Sequence, residues 1–308
     1  MVKHIRADEQ SLVAALRRRA AAGALRRSGV ILGIGDDSAI FRARRGEELL
    51  FTTDMLIEGT HFTRSTHSAA DTGWTALARG LSDIAAMGGE PRFCLVSLAV
   101  APWCGSKWVD GFFRGLLLLA RRSGAALAGG DLSHAGQVAC DVVVCGAAPE
   151  GAALRRSTAR AGDSIYVSGL HGGSARGLEL QRGRAWRRHL RPEPRLALGR
   201  FLRERLAASA AMDLSDGISL DLRRLCLASG LSAEIEPPPR FPGATLEQAL
   251  HGGEDYELLF TVPNPARVPA TFEGIPLTRI GTMRKGRAGA VKLNGAPLAP
   301  LGYDHFRL

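Results

Sequence analysis

Residues 81–91, Leu81-Ser82-Asp83-Ile84-Ala85-Ala86-Met87-Gly88-Gly89-Glu90-Pro91, decide how the first half of the chain is read. Upstream, from residue 69, apolar positions recur at helical spacing, and Gly-Gly-Glu-Pro then stops the helix because glycine and proline both oppose further helical backbone. The reading is a helix over 69–87 followed by an apolar strand over 93–101. Working outward, a helix is expected over 8–22, β segments over 29–40 and 49–57, a long helix over 107–123 and a strand over 138–144. This alternation predicts a layered α/β or α+β domain. The pattern breaks at Ala147-Ala148-Pro149-Glu150-Gly151, which places a boundary near Pro149 and gives domains 1–148 and 149–308. Beyond it come a strand over 165–167, a Gly-rich turn over 169–177, helices over 194–208 and 218–229, a strand over 256–262, and short strands over 277–280 and 290–293.

The 308 residues are 45% hydrophobic and 23% charged, the composition of a globular protein and not of a collagen-like, coiled-coil or disordered chain. No run approaches the ~20 apolar residues of a membrane span; Leu116–Leu119 runs into Arg121 and Arg122. The first residues lack the apolar core of a secretory signal, and five cysteines without a C-x-x-C pair suit a reducing cytoplasm. A cytoplasmic location is expected. The formal charge of +10 invites a nucleic-acid reading, but 36 of the 40 basic residues are Arg and they are dispersed. The clusters 17–19 and 182–188 lie in helical stretches and read as solvated faces, so neither nucleic acid nor membrane is expected as a partner.

The acids are less evenly spread. They recur at strand ends and in Gly-rich turns: Asp36-Asp37, Asp54, Asp83, Asp131, Asp213 with Asp216, and Glu254-Asp255. Taken singly, each suits a helix cap or a turn. If six such sites converge, their repulsion must be neutralised, and hard divalent cations do that with oxygen ligands, Mg²⁺ taking a few carboxylates together with substrate phosphates. The expectation is a phosphate site with several Mg²⁺ ions. No Walker-type loop, kinase catalytic loop or zinc-ligand spacing is present, and Gly33-Ile34-Gly35 lacks the third glycine of a dinucleotide fingerprint.

These residues, in order, resemble the thiamine-monophosphate kinase family, within the superfamily of aminoimidazole ribonucleotide synthetase and selenophosphate synthetase. The resemblance runs through Gly33–Asp37, Thr52–Phe62, Leu81–Gly88, Gly129–Asp131, Arg156-Ser157, Met212–Gly217, Gly252–Leu258 and Gly302–Phe306. It implies a two-domain α+β synthetase-like kinase fold with mixed and antiparallel sheets flanked by helices. It also implies N-terminal domains paired in a homodimer, active sites in clefts between domains, and transfer of the ATP γ-phosphoryl group to thiamine monophosphate. By position it implies metal ligands at Asp37, Thr53, Asp54, Asp83, Asp131, Asp213 and Asp216, nucleotide contacts at Gly130, Asp131, Arg156 and Ser215, and substrate contacts at His61, Glu254 and Tyr303.

No general base is assigned, because a phosphomonoester with a second pKa of ~6 is already largely ionised at neutral pH. Arg156 would donate to phosphate oxygens or lie at the surface. His61 would bind substrate or sit at a strand end, Glu254 would accept from the aminopyrimidine or serve as a turn acid, and Tyr303 would stack on a cationic ring or close the core. The chain departs from the family pattern at Gly80, preceded by Arg79, where Asn is usual, and at Leu132-Ser133-His134, where Thr-Thr-Arg is common. A superfamily relative that activates another substrate and an inactive nucleotide-binding regulator stay open as alternatives.

Overall fold

The computed structural model describes residues 9–20, 28–264 and 267–306. The chain divides into two compact units, unit 1 running to Ile84 and resuming over Gly89–Gly151, unit 2 comprising Ala85–Gly88 and everything from Ala152.

Unit 1 contains α1 (Glu9–Ala20), β1 (Val30–Leu32), β2 (Ile40–Phe41), β3 (Glu47–Ile57), α2 (Ala69–Ala86, its last two residues counted with unit 2), β4 (Glu90–Val100), α3 (Ser106–Ser123), β5 (Ala126–His134) and β6 (Ala139–Pro149). Strands β3-β6-β4-β5 form one sheet in that order, with only β4 and β5 parallel. Strand alternation sorts β3 into two faces: Leu50 and Leu56 are buried, whereas Phe51, Thr53 and Met55 are exposed. Helix α2 lies on the buried face, so close that a Cβ added to Gly146 of β6 would stand 2.6 Å from Ile84 Cγ2. It crosses α3 backbone to backbone: a Cβ on Gly73 would be 1.9 Å from the Phe112 carbonyl oxygen, and one on Gly115 would be 1.8 Å from that of Ala70. The glycines permit this approach, and Trp74, Leu77, Leu81, Phe112 and Leu116 fill the space around it.

Unit 2 begins with a 3₁₀ turn (Arg156–Thr158), then β7 (Ser164–Ser168), α4 (Gly173–Leu180), α5 (Gly183–Leu190), α6 (Leu196–Glu204), β8 (Ala210–Leu214), α7 (Ile218–Ala228), β9 (Ser232–Ile235) and α8 (Leu246–His251). It ends with β10 (Glu257–Val262), β11 (Thr271–Phe272), β12 (Ile275–Arg284), β13 (Val291–Leu293) and β14 (Ala296–Pro297). The sheet order is β14-β13-β9-β12-β7-β10-β8, with β11 paired to β12 and only β9 and β13 parallel. All residues of β8 and β10 are buried because both faces are covered. Met212, Leu214 and Leu259 pack with Leu222 and Leu225 of α7, while Ala211, Leu258 and Phe260 pack with Leu198 and Leu202 of α6.

The mixed, helix-flanked α+β architecture agrees with the sequence reading, and several local expectations need correction. The segment 29–40 is not one β element; only Val30–Leu32 and Ile40–Phe41 pair, and Gly33–Ala39 between them is a loop. The Gly-rich turn over 169–177 is half helix, because α4 starts at Gly173. Strand β5 was hidden by its Gly129-Gly130 pair, which reads as a turn; here glycine allows strand approach, since a Cβ on Gly130 would lie 1.9 Å from the Val96 carbonyl oxygen. Strands β8 and β9 and helix α8 are too short to announce themselves by periodicity. Of the helix expected over 8–22, residues 8, 21 and 22 lie outside the described residues. The cluster 182–188 is not simply a solvated face, because Arg188 is partly buried and ion-paired inside unit 2.

Candidate active site

In unit 1 the acids fall on two faces of one sheet. On the helix-covered face, Thr52 and Asp54 of β3 meet α2: Thr52 donates to Asp83 Oδ2 at 2.5 Å, and Arg79 Nε lies 3.5 Å from Asp54 Oδ1. Burial pushes the Asp54 carboxyl up, the Arg79 guanidinium pulls it down, and Asp83 and Asp141 push it up again, leaving it at about 6. One guanidinium thus faces an excess of carboxylate charge. On the other face, Thr53 donates to Asp141 Oδ1 at 2.5 Å, and Asp141, Ser97 and Asp131 lie in register across β6, β4 and β5. A cavity of about 920 Å³ opens on this face, lined by Asp37 and Gly35 of the Gly33–Ala39 loop, Ser97, Gly130 and Val143. Thr53 is therefore set apart from its neighbour Asp54, and Asp37 and Gly130 border the same space.

At the end of β3 the chain turns through Gly59, and Glu58 holds the turn by accepting from the Val138 amide at 3.0 Å and from Trp103 Nε1 at 3.3 Å. His61 Nδ1 accepts from the Ile57 amide at 3.0 Å, which places the proton of the neutral ring on Nε2.

In unit 2 the motifs at Met212–Gly217, Gly252–Leu258 and Gly302–Phe306 converge. The Glu254 amide donates to the Ser215 carbonyl at 2.7 Å, the Tyr303 amide donates to the Asp216 carbonyl at 2.9 Å, and Tyr256 donates to Leu214 at 3.0 Å. Glycine is required at two of these contacts: a Cβ would stand 2.6 Å from the Ser215 carbonyl oxygen at Gly253 and 2.3 Å from that of Asp216 at Gly302. Glu254 and Tyr256 both hold positive φ, 63° and 48°, strain of the kind retained where surroundings fix a functional loop. Asp213 is buried in β8, Ser215 and Asp216 are half-buried, and the Tyr303 ring is exposed against His305, so it does not close the core. Arg224 pairs with both Asp216 and Asp221. Arg156 is exposed, and its carbonyl accepts from Ser229 just beyond the C-terminal end of α7, whereas Asp216 precedes that helix. The two ends of an 11-residue helix are ~16 Å apart, so the backbone of Arg156 stands away from the Ser215–Asp216 turn.

Beneath this loop lies a charge network that sequence reasoning missed. Glu257 is fully buried and accepts from Arg195 Nε at 2.8 Å, Arg188 Nη2 at 2.9 Å and Ser168 at 2.6 Å. Burial alone would raise its pKa, but Arg195 and Arg188 outweigh it and hold Glu257 at about 2. Asp255 accepts from the Gly172 and Ser174 amides at the start of α4, at 2.6 and 3.0 Å, and His189 Nδ1 lies 3.4 Å from Glu254 Oε2. The available signal is Arg188 at the end of the cluster 182–188, which by sequence reads as a solvated face. Arg79 and Asp141 were also missed as members of the unit 1 cluster, because each lies in a stretch whose apolar periodicity dominates.

Among the described residues, no three His, Cys, Asp or Glu side chains form a ready-made metal cage. The donor set nonetheless suits Mg²⁺, which keeps several waters and takes one or two carboxylates plus substrate phosphates. Asp54 and Asp83 offer hard oxygens in an environment whose excess negative charge a cation would relieve.

Residues 35–153 match the AIR synthase related protein N-terminal domain family, and residues 160–294 match the corresponding C-terminal domain family. The thiamine-monophosphate kinase of Salmonella typhimurium is 38% identical over 91% of this chain and 93% of its own length. The crystal structure of thiamine-monophosphate kinase from Stenotrophomonas maltophilia superposes with a TM-score of 0.82 at 35% identity, covering 94% of this chain and 96% of that one. The structure described as AaThiL complexed with AMPPCP and TMP superposes with a TM-score of 0.78 at 31% identity, covering 97% of each chain. With these motifs gathered on this two-unit frame, the chain belongs to the thiamine-monophosphate kinase family of AIR synthase related proteins.

Proposed function

We propose that this chain transfers the γ-phosphoryl group of ATP to thiamine monophosphate, producing thiamine diphosphate and ADP. The observation that carries the reading is the gathering of Glu254 and Tyr303 on the Ser215–Asp216 turn, in a chain whose relatives bear that enzyme's name. Phosphoryl transfer needs positioning and charge neutralisation more than covalent chemistry from the protein. Asp54 and Asp83 would hold Mg²⁺ on the helix-covered face of the unit 1 sheet, Asp37, Thr53 and Asp131 would offer oxygens to Mg²⁺ on the opposite face, and Asp213 and Asp216 would supply the acids of unit 2. Bound Mg²⁺ neutralises charge on the transferring phosphoryl group and polarises its oxygens. Gly130, which is exposed, and Ser215, which is half-buried, approach the nucleotide, and the exposed Arg156 donates to its phosphate oxygens.

Tyr303 offers its exposed ring face to the thiazolium, whose positive charge an aromatic face attracts. Glu254, held by its strained backbone, accepts from the aminopyrimidine, and His61 is a further substrate contact. The acceptor oxygen is already ionised, so no residue is given the task of removing a proton.

The reading places the enzyme in the cytoplasm, a reducing compartment that suits five cysteines without a C-x-x-C pair. Among the described residues no helix is long and apolar enough to cross a membrane. It works as a homodimer joined through unit 1. Phe51 and Met55 on the outer face of β3, 63% and 53% exposed, support that arrangement, since large apolar side chains left exposed on one sheet face are usual at protein contacts. A [γ-³²P]ATP incubation with Mg²⁺ and thiamine monophosphate tests the activity: label is expected in thiamine diphosphate, and label released only as inorganic phosphate contradicts it.

A further inference from the structure

Helix α2 presents Arg79 and Asp83 one turn apart to β3. Residues four apart share a helix face, and residues two apart share a strand face. Asp83 takes Thr52 and Arg79 takes Asp54, so each helix side chain holds one strand side chain. Gly80 sets the spacing: a Cβ there would stand 2.7 Å from Val144 Cγ2 and 3.4 Å from Thr52 Cγ2, so the helix rests on the sheet with no room for a side chain. A polar group at position 80 has no space, and the polar contact from this turn of α2 comes from position 79.

The Arg79 and Asp54 side chains are only 14% and 23% exposed, so solvent screens them less than it would a surface pair. Guanidinium does not give up its proton in proteins, which makes Arg79 a fixed positive charge beside carboxylates that also include Asp83 and Asp141.

We propose that Arg79 is a positioning residue of the cation site: it holds the Asp54 carboxylate against α2 and supplies a resident positive charge that sets how tightly the acidic cluster takes a divalent cation. The inference rests on the reading that Asp54 and Asp83 bind Mg²⁺. A tethered cation offsets part of the charge a metal ion would otherwise neutralise, so it weakens metal binding in the absence of nucleotide. Binding then depends on the phosphates that arrive with ATP, and an empty site does not trap Mg²⁺. Lysine at 79 keeps the charge and loses the planar fork, whereas glutamine keeps polarity and loses the charge.

The test is a Mn²⁺ titration without nucleotide, with free Mn²⁺ read by electron paramagnetic resonance, on the wild-type chain and on Arg79→Gln, Arg79→Lys, Asp54→Asn and Asp83→Asn. Circular dichroism confirms folding, and Arg79→Met replaces the glutamine variant should that one not fold. Arg79→Gln is expected to bind Mn²⁺ at least about tenfold more tightly than wild type, and Arg79→Lys to stay within about twofold, since one unit charge a few ångströms from a divalent cation implies that much even at the dielectric of bulk water. Unchanged or weaker binding by Arg79→Gln, while Asp54→Asn and Asp83→Asn both lose binding, overturns the inference and leaves the metal reading standing. Undiminished binding in the two asparagine variants overturns the metal reading, and the inference falls with it. A purely structural role for Arg79 would lower the melting temperature of Arg79→Gln without tightening Mn²⁺ binding.

Discussion

Glu257 in unit 2 and Asp54 in unit 1 are both carboxylates drawn away from water, and their surroundings treat them in opposite ways. Glu257 meets two guanidiniums and a serine hydroxyl and is held at about 2. Asp54 meets one guanidinium against two further carboxylates and is left at about 6. The first arrangement is satisfied by the protein itself and behaves as scaffold: it ties β10 and β7 to Arg188 of α5 and to Arg195, just before α6, beneath the Gly252–Tyr256 loop. On the proposed reading, a cation from outside completes the second. If Asp54 serves the cation site as proposed, completeness of pairing separates an acid that holds the fold from one that serves chemistry; the richness in arginine is partly explained by internal pairs such as these.

The largest difference between the two kinds of acid is expected at Asp83. Asp83→Asn keeps the shape of the side chain and its contact with Thr52 but removes a charged oxygen ligand, so kcat should fall on the order of a hundredfold or more with the far-ultraviolet circular dichroism unchanged. Near-normal turnover would remove Asp83 from the cation site. Glu257→Gln should do the reverse. Two guanidiniums would be left facing a neutral amide in a buried setting, a loss of about 3 kcal/mol in unfolding free energy by urea titration, while the KM values of the folded enzyme change little.

The same residue predicts an acid limb. Its folded pKa of about 2 lies below the ordinary glutamate value of ~4.3, so the unfolded chain takes the proton first. The stability contributed by ionised Glu257 is therefore complete above about pH 4.3 and is lost as pH falls towards 2; a wild-type and Glu257→Gln pair followed by thermal unfolding should converge over that window. The smallest effect concerns substrate: Tyr303→Ala should raise KM for thiamine monophosphate by about tenfold, the scale of a lost cation–π contact in a partly desolvated site, and KM for ATP by much less. Equal rises in both would remove Tyr303 from the substrate contact.

Much of this was legible in the sequence, though unevenly. The helix ended by Gly88-Gly89-Glu90-Pro91 was readable because periodicity and breaker agree, and the acidic motifs were readable because they are short, Gly-flanked and ordered along the chain. The neutralising partners were not. Arg79 lies within an ordinary helical stretch and Arg188 within a charge run, and nothing local says that one reaches Asp54 and the other Glu257, 69 residues away. Asp141 was hidden because it interrupts an otherwise apolar strand, and only the register of β6 on β3 brings it to Thr53. Gly130 looked like a turn glycine, and its actual service, letting β5 approach β4, depends on a neighbouring strand that the local sequence does not name.

Cation-dependent transfer between two phosphates is tested most directly by quantifying thiamine diphosphate and ADP together as Mg²⁺ is removed by chelation and restored. One thiamine diphosphate is expected for each ADP, with loss of both on chelation and recovery of both when Mg²⁺ returns. ADP formed without thiamine diphosphate, or transfer that continues undiminished under chelation, would contradict it.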